Sequence, residues 1–266
     1  MNRSTYYKHF SAGESNRAKE DKILKSYILS LHGKYKKRLG VKKMTCMLKS
    51  EYGIKIGTSR VRRLMRSMNL PEIFSKKSPN HSTKPERGDY KNILKRKFKQ
   101  SAPNQIWVSD ITYIRVGQKW AYLCVVIDLF SRKVISWKIS FKPDAELLIS
   151  TFKKAYAKRN FPKGLIFHSD RGTQYTSKDF RKLLDEFGVV QSFSGRGCPY
   201  DNAVAESFFK YLKKEETYRK TYSDFSGLQS SLFEYIDGFY NPKRPHSSND
   251  FLSPDDFESA YFLHLY

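Results

Sequence analysis

From residue 105 onward the chain reads as three strand-like segments in direct succession, followed by an alternation of helix and strand, and this order leaves few folds open. Ile106-Trp107-Val108 leads into Asp110, Trp120 to Ile127 is rich in Val, Tyr and Ile, and Val134 to Ile139 repeats the texture. Beyond them the periodicity predicts a helix over 144–159, a strand Leu165-Ile166-Phe167, a helix near 178–187, a strand Val189-Val190-Gln191-Ser192-Phe193 and a helix over 202–216. Three consecutive strands predict antiparallel pairing, so the expectation is an α/β unit of order βββ-α-β-α-β-α.

Three acids stand in this region where apolar residues would be less costly. Asp110 interrupts a strand of Trp, Val, Ile and Tyr, Asp170 follows the strand ending at Phe167, and Glu206 lies among Ala203, Val204, Ala205, Phe208 and Phe209. Carboxylates at strand ends and on a facing helix suit magnesium, a hard cation that takes oxygen ligands and substrate phosphate. Two such ions roughly 4 Å apart serve in-line phosphoryl displacement. A cation would also relieve the mutual repulsion of clustered carboxylates.

The N-terminal part differs in composition. The formal net charge of the chain is +24; residues 1–100 carry 27 basic and 7 acidic side chains, leaving only +4 for the remainder. A balance this lopsided points to a polyanionic partner, and nucleic acid leads. Ile23, Tyr27, Ile28 and Leu31 recur at helical spacing, Val41, Met44 and Leu48 mark a second helix ending near Tyr52-Gly53, and Val61, Leu64, Met65 and Met68 mark a third, capped by Thr58 or Ser59. Two helices joined by a short glycine-containing turn predict a helix-turn-helix in which Arg62, Arg63 and Arg66 face solvent and can reach DNA. Residues 72–104 read as a basic linker, with Ser75-Lys76-Lys77-Ser78-Pro79, Pro85, Gly88 and Lys95-Arg96-Lys97-Phe98-Lys99. The predicted organisation is thus 1–71 helical and DNA-binding, 72–104 linker, and 105–266 catalytic.

Cys46, Cys124 and Cys198 form no paired spacing, which argues against a disulfide framework or zinc knuckle and fits a reducing cytoplasm. No stretch approaches the roughly 20 apolar residues of a membrane span. The expectation is a soluble cytoplasmic protein without a membrane partner.

The segments His168-Ser169-Asp170-Arg171-Gly172-Thr173-Gln174-Tyr175 and Gly197-Cys198-Pro199-Tyr200-Asp201-Asn202-Ala203-Val204-Ala205-Glu206-Ser207-Phe208 closely resemble blocks of bacterial insertion-sequence transposases of the integrase-like superfamily. The resemblance is to the second-frame (OrfB) product of elements whose transposase fuses two reading frames. The 35 residues between Asp170 and Glu206 match the spacing of that family's triad, and Lys213 matches as well. Likeness extends to Arg3-Ser4-Thr5-Tyr6-Tyr7, Gly40-Val41-Lys42-Lys43-Met44, Arg60-Val61-Arg62-Arg63-Leu64-Met65, and the C-terminal Tyr240-Asn241-Pro242, Arg244-Pro245-His246-Ser247 and Ser253-Pro254. Asn249-Asp250 departs from the Leu-Gly expected there.

The resemblance implies an RNase H-like core with a mixed five-stranded sheet flanked by helices, preceded by the small all-α domain. It implies metal-dependent hydrolysis of a phosphodiester at an element end, then attack by the freed 3′-OH on another strand. Asp110, Asp170 and Glu206 would be catalytic and bind Mg²⁺, for which Mn²⁺ can substitute. Lys213 would orient DNA, with Lys210 between it and Glu206 on the same helix face and Asp201 or Asn202 as helix cap. Implied partners are terminal repeats, target DNA, further copies of the chain and an upstream-frame product as a fusion; the implied setting is the bacterial nucleoid.

Other residues carry competing readings. Asp128 is a second-choice metal ligand but reads better as a turn cap, His168 could assist proton movement or be structural, and Arg244 with His246 could line a DNA path or form a turn. Trp107, Trp120 and Trp137 read as core. His9, His32, Cys46 and His81 do not supply the paired zinc site of a retroviral integrase proper. A relative that binds DNA without cutting it, and an RNase H-fold nuclease acting on hybrids or junctions, remain alternatives to the transposase.

Overall fold

In the computed structural model, residues 14–70, 90–195 and 198–263 are described. Arg3 to Tyr7, His9, His81 and Gly197, and the linker motifs between Ser75 and Gly88, lie outside them. The chain divides into two compact units, one within residues 1–74 and one within 75–266. No helix among the described residues is long and apolar enough to cross a membrane.

The first unit has the three expected helices: α1 (Asn16–Lys34), α2 (Val41–Tyr52) and α3 (Thr58–Ser67). Ser15 caps α1 by accepting from the Ala18 N–H. Its buried stripe is Leu24, Ile28 and Leu31, whereas Ile23 is 57% exposed. The helical period admits either stripe, and packing against α2 and α3 selects the one offset by a residue. Gly53, at φ 69°, ends α2 in the left-handed region that costs glycine least. Gly57, not Thr58 or Ser59, is the N-cap residue of α3, and no side chain bonds the freed N–H groups there. Val61, Leu64 and Met65 are buried as expected.

The second unit contains one five-stranded sheet: β1 (Ile106–Val116), β2 (Lys119–Asp128), β3 (Val134–Ser140), β4 (Ile166–Ser169) and β5 (Val190–Phe193). Their spatial order is β3-β2-β1-β4-β5. The first three pair antiparallel; β4 pairs parallel with both β1 and β5. Helices α4 (Ala145–Lys158) and α5 (Lys178–Glu186) supply the intervening crossovers, and α6 (Ala203–Glu215), α7 (Phe225–Tyr235) and α8 (Pro254–Leu263) complete the unit. Trp107, Phe152, Tyr156, Phe167, Phe180, Leu184 and Phe193 form a continuous buried cluster joining sheet, α4 and α5.

Of the three tryptophans read as core, only Trp107 is fully enclosed. Trp120 is 44% exposed, and Trp137 is partly buried with its indole N–H donated to Asp237 at 2.8 Å. Strand residence alone does not bury a ring at the end of a long hairpin. The free edge of β3 is managed by Asn241, whose amide accepts from the Val134 N–H and donates to its carbonyl, each at 3.0 Å.

Residues 90–104, expected to belong to a tether, lie against this unit instead. The Ser192 hydroxyl accepts from the main-chain N–H groups of Ile93 and Leu94, Leu94 is buried, and Arg96 and Asn92 both bond Asp201. At the C-terminal departure, Asp250 takes φ 51°, the conformation a glycine would favour, while Asn249 is buried and donates to the Ser131 carbonyl at 2.6 Å.

Candidate active site

β4 is short and pairs with β1 only from Ile106 to Val108. From Ser109 onward, therefore, that edge of β1 has no neighbouring strand, and Asp110 lies where the pairing stops. Its Oδ1 accepts the N–H of Ile111 at 2.8 Å. Next to it, Ser109 is locked by a 2.9 Å bond between its hydroxyl and that of buried Tyr175.

Asp170 is the first residue beyond β4, the parallel neighbour of β1, so both aspartates emerge from the same region of the sheet. Its Oδ1 accepts from the Gly172 N–H at 2.9 Å, at the start of the helical turn Thr173–Thr176. A Cβ at Gly172 would stand 3.1 Å from that carboxylate oxygen and 3.1 Å from the Gln174 amide oxygen, so glycine permits the close turn.

Glu206 lies in the first turn of α6 and is exposed. Asn202, immediately before α6, sets the helix against the sheet by donating its Nδ2 to the Ser109 carbonyl at 3.1 Å. That carbonyl lies where β1 has outrun β4. Neither Asp201 nor Asn202 makes the expected side-chain cap. Asp201 is buried and accepts from Arg96, Asn92 and the Gly195 N–H, joining the 90–98 segment and the turn before α6.

The electrostatics connect these elements. Burial pushes the Asp110 carboxyl well above the usual carboxylate range; Asp170 adds to this and Glu206 less so, while the Ile111 N–H and Lys213 oppose it. Burial also raises Asp170, against the Gly172 N–H, and raises Glu206. The Lys213 ammonium is held below its ordinary value by burial, partly offset by Asp110. No Lys or Arg forms an ion pair with any of the three acids among the described residues. Nor does any group of three or more His, Cys, Asp or Glu among those residues stand ready to hold a metal. All-oxygen donors with excess negative charge nonetheless suit a hard divalent cation.

Lys213 faces the site from α6, its Nζ 5.0 Å from the Tyr113 ring centre, and Lys210 is exposed. In the first unit Arg62, Arg63 and Arg66 are exposed. Arg63, however, bonds Asp21 at 2.6 Å, a carboxylate it shares with Arg60.

The alternative candidates resolve differently. Asp128 is a cap: it accepts from Phe130 and Asn104 main-chain N–H groups at 2.9 and 2.8 Å. His168 is buried between the Ser192 and Ser194 hydroxyls, and burial depresses it to about 4, which keeps it neutral and structural. Arg244 cannot line a DNA path, being 1% exposed and bidentate to Glu215 at 2.8 Å. Sequence reading missed Asn202 as the tie to β1 and Asp201 as the hub for Arg96. Their positions just before Glu206 marked them as helix-cap candidates, but nothing in sequence disclosed partners about a hundred residues away.

Residues 100–199 and 206–262 match two families each described as an integrase core domain, and residues 18–77 match an HTH-like domain. The chain is 37% identical over 240 residues to the transposase for insertion sequence element IS904 of Lactococcus lactis, covering 90% of this chain and 94% of that one. It is 36% identical over 235 residues to transposase InsF for insertion sequence IS3A of Escherichia coli, covering 88% and 81%. A solved simian T-cell lymphotropic virus intasome is a remoter likeness, at 18% identity and TM-score 0.46 over 87% of this chain and 74% of that one. Extensive identity to two such enzymes, with the integrase-core and HTH-like matches in the same order, means that this chain belongs to the IS3-family insertion-sequence transposases, polynucleotidyl transferases with an RNase H-like core.

Proposed function

We propose that Asp110, Asp170 and Glu206 are the catalytic carboxylates and hold divalent metal, magnesium with manganese as a substitute. With them the enzyme hydrolyses a phosphodiester at an insertion-sequence end and joins the freed 3′-OH to another strand. The observation that carries this reading is the placement of Asp110 and Asp170 side by side where the β1–β4 pairing ends, each accepting one main-chain N–H and neither ion-paired to a Lys or Arg among the described residues. Metal bound there supplies activation of the attacking oxygen and charge stabilisation of the leaving one.

The chain's own residues do the positioning. Asp110 on β1 and Asp170 just past the neighbouring β4 are each held by a main-chain N–H bond, while exposed Glu206 can swing toward them by side-chain rotation. Lys213 orients the DNA by meeting a phosphate, and Lys210, one turn from Glu206 on the same helix, meets the same strand. In this reading residues 1–71 contact DNA through α3, with Arg62, Arg63 and Arg66 facing it, 72–104 supply the connection, its 90–104 part packed on the second unit, and 105–266 form the catalytic part with its C-terminal helical extension. Terminal repeats and target DNA are the substrates, copies of the chain assemble on them at the bacterial nucleoid in the cytoplasm, and an upstream-frame product supplies end recognition as a fusion.

The test is strand joining on a branched oligonucleotide that mimics a transfer product, with Mg²⁺ or Mn²⁺, comparing the full chain with Glu206→Gln. Resolution by the wild type alone is expected. A Glu206→Gln protein that resolves the branch at the wild-type rate would overturn the assignment. Retained DNA binding without chemistry from the wild type, alone or fused to its upstream frame, would favour a non-cutting binder.

A further inference from the structure

Past the end of β4, the hairpin of β1 and β2 displays aromatic side chains that the core does not use. Tyr113 and Trp120 are 39% and 44% exposed. The register sets Tyr113 opposite Tyr122 and Trp120 opposite Arg115, so the two rings are diagonal neighbours on one sheet face. They meet edge to face with centroids 5.0 Å apart. A cation lies over each: the Arg115 guanidinium is 5.4 Å from Trp120 and the Lys213 ammonium 5.0 Å from Tyr113.

Arg115 is held in place by the Gly117 carbonyl and the Gln118 side chain, with no acidic partner among the described residues. Lys213 lies in the field of Asp110 and also over Tyr113. An exposed ring pair alone could meet any apolar surface. A row of cation, ring, ring and cation fits a polyanion that also offers π faces. Along α6, Lys213 stands two turns, about 10 Å, from Glu206, a separation that a nucleotide or two can span.

We propose that Tyr113 and Trp120 form a stacking platform for unpaired bases of the DNA strand engaged at Asp110, Asp170 and Glu206, with Arg115 and Lys213 meeting its phosphates. The proposal rests on reading those three acids as the catalytic site. Bases inside a duplex are stacked on one another and offer no face to a protein ring, so the platform selects DNA that is frayed or single-stranded beside the reacting phosphate.

The experiment measures binding of the full chain, in EDTA so that no chemistry competes, to a short duplex that is blunt, carries a single-stranded extension, or carries an abasic extension. The wild type should bind the normal extension about tenfold more tightly than the blunt end. It should also quench 2-aminopurine placed in that extension. Tyr113→Leu and Trp120→Leu should each lose most of the preference, Tyr113→Phe and Trp120→Phe should keep it, and all four should bind blunt duplex as the wild type does.

Equal binding of blunt and extended DNA by the wild type would overturn the platform. So would equal binding of normal and abasic extensions, which would mean charge alone. Leucine variants that change the sedimenting mass and leave the preference intact would assign the patch to a second copy of the chain. An extension preference that persists while the branched substrate is never resolved would support the platform and count only against the catalytic reading of the triad.

Discussion

Asn202 donates its side-chain amide to the Ser109 carbonyl at 3.1 Å, and this one bond ties the start of α6 to the strand position beside Asp110. The two residues are 93 positions apart, and both are buried. The amide Oδ1 has no partner among the described residues, and the side chain acts there as a donor. Asn202→Ala would leave the carbonyl unsatisfied, at a cost of about 1–3 kcal/mol. It would also free the turn that presents Glu206, and strand joining should fall about a hundredfold while duplex binding holds. Asn202→Asp, which sets a carboxylate against the carbonyl, should be worse. Joining at the wild-type rate by a folded Asn202→Ala protein would refute the positioning role.

Glu215 and Arg244 form a buried pair, 3% and 1% exposed, with Tyr235 donating to the same carboxylate and Arg244 lying 4.1 Å from the Tyr211 ring centre. Arg244→Met should destabilise the second unit by about 3–5 kcal/mol, because it strands the Glu215 charge. Adding Glu215→Gln should recover part of that loss. Urea unfolding of the three proteins measures it, and an unchanged midpoint for Arg244→Met would show the pair to be dispensable.

Arg62 is exposed and makes no ion pair among the described residues, unlike Arg60 and Arg63, which share Asp21. If α3 lies on DNA, Arg62→Ala should lower the slope of log affinity against log salt by about one, without changing thermal stability. An unaltered slope would remove Arg62 from the DNA contact.

Asp128 supplies a pH dependence whose sign can be worked out. Its two main-chain donors favour the charged form, yet burial outweighs them and lifts the carboxyl from 3.8 to about 6. Between these values the folded state binds the proton more tightly than the unfolded one. The stabilisation is therefore full in acid and is lost as pH rises through about 6, amounting to about 3 kcal/mol. Relative to wild type, Asp128→Asn should gain stability by up to that amount between pH 4 and 7. A difference that stays flat across this range would mean that the charge is compensated in the fold.

Much of this protein was legible locally. Strand texture and helical period disclosed the order βββ-α-β-α-β-α because a residue's own neighbours set its preference for strand or helix. The motifs around Asp170 and Glu206 carried enough local context to single out two acids among 26, and the same resemblance supplied the family. Periodicity was less decisive about which stripe is buried, as Leu24 in place of Ile23 demonstrates, since a helix face becomes interior only when a partner covers it.

Tertiary structure decided what depends on distant partners. It made Trp120 a surface ring while enclosing Trp107, and it drew residues 90–98 onto Asp201 where composition alone read a tether. It converted Arg244 from a candidate DNA contact into half of a buried pair. In each case the outcome turns on which group, tens or hundreds of residues away, arrives within hydrogen-bond or van der Waals range. The sequence by itself determined the elements and the family and singled out the candidate acids; chain folding decided burial, charge state and the Asn202 tie, because desolvation and hydrogen bonding are properties of a neighbourhood that only the folded chain creates.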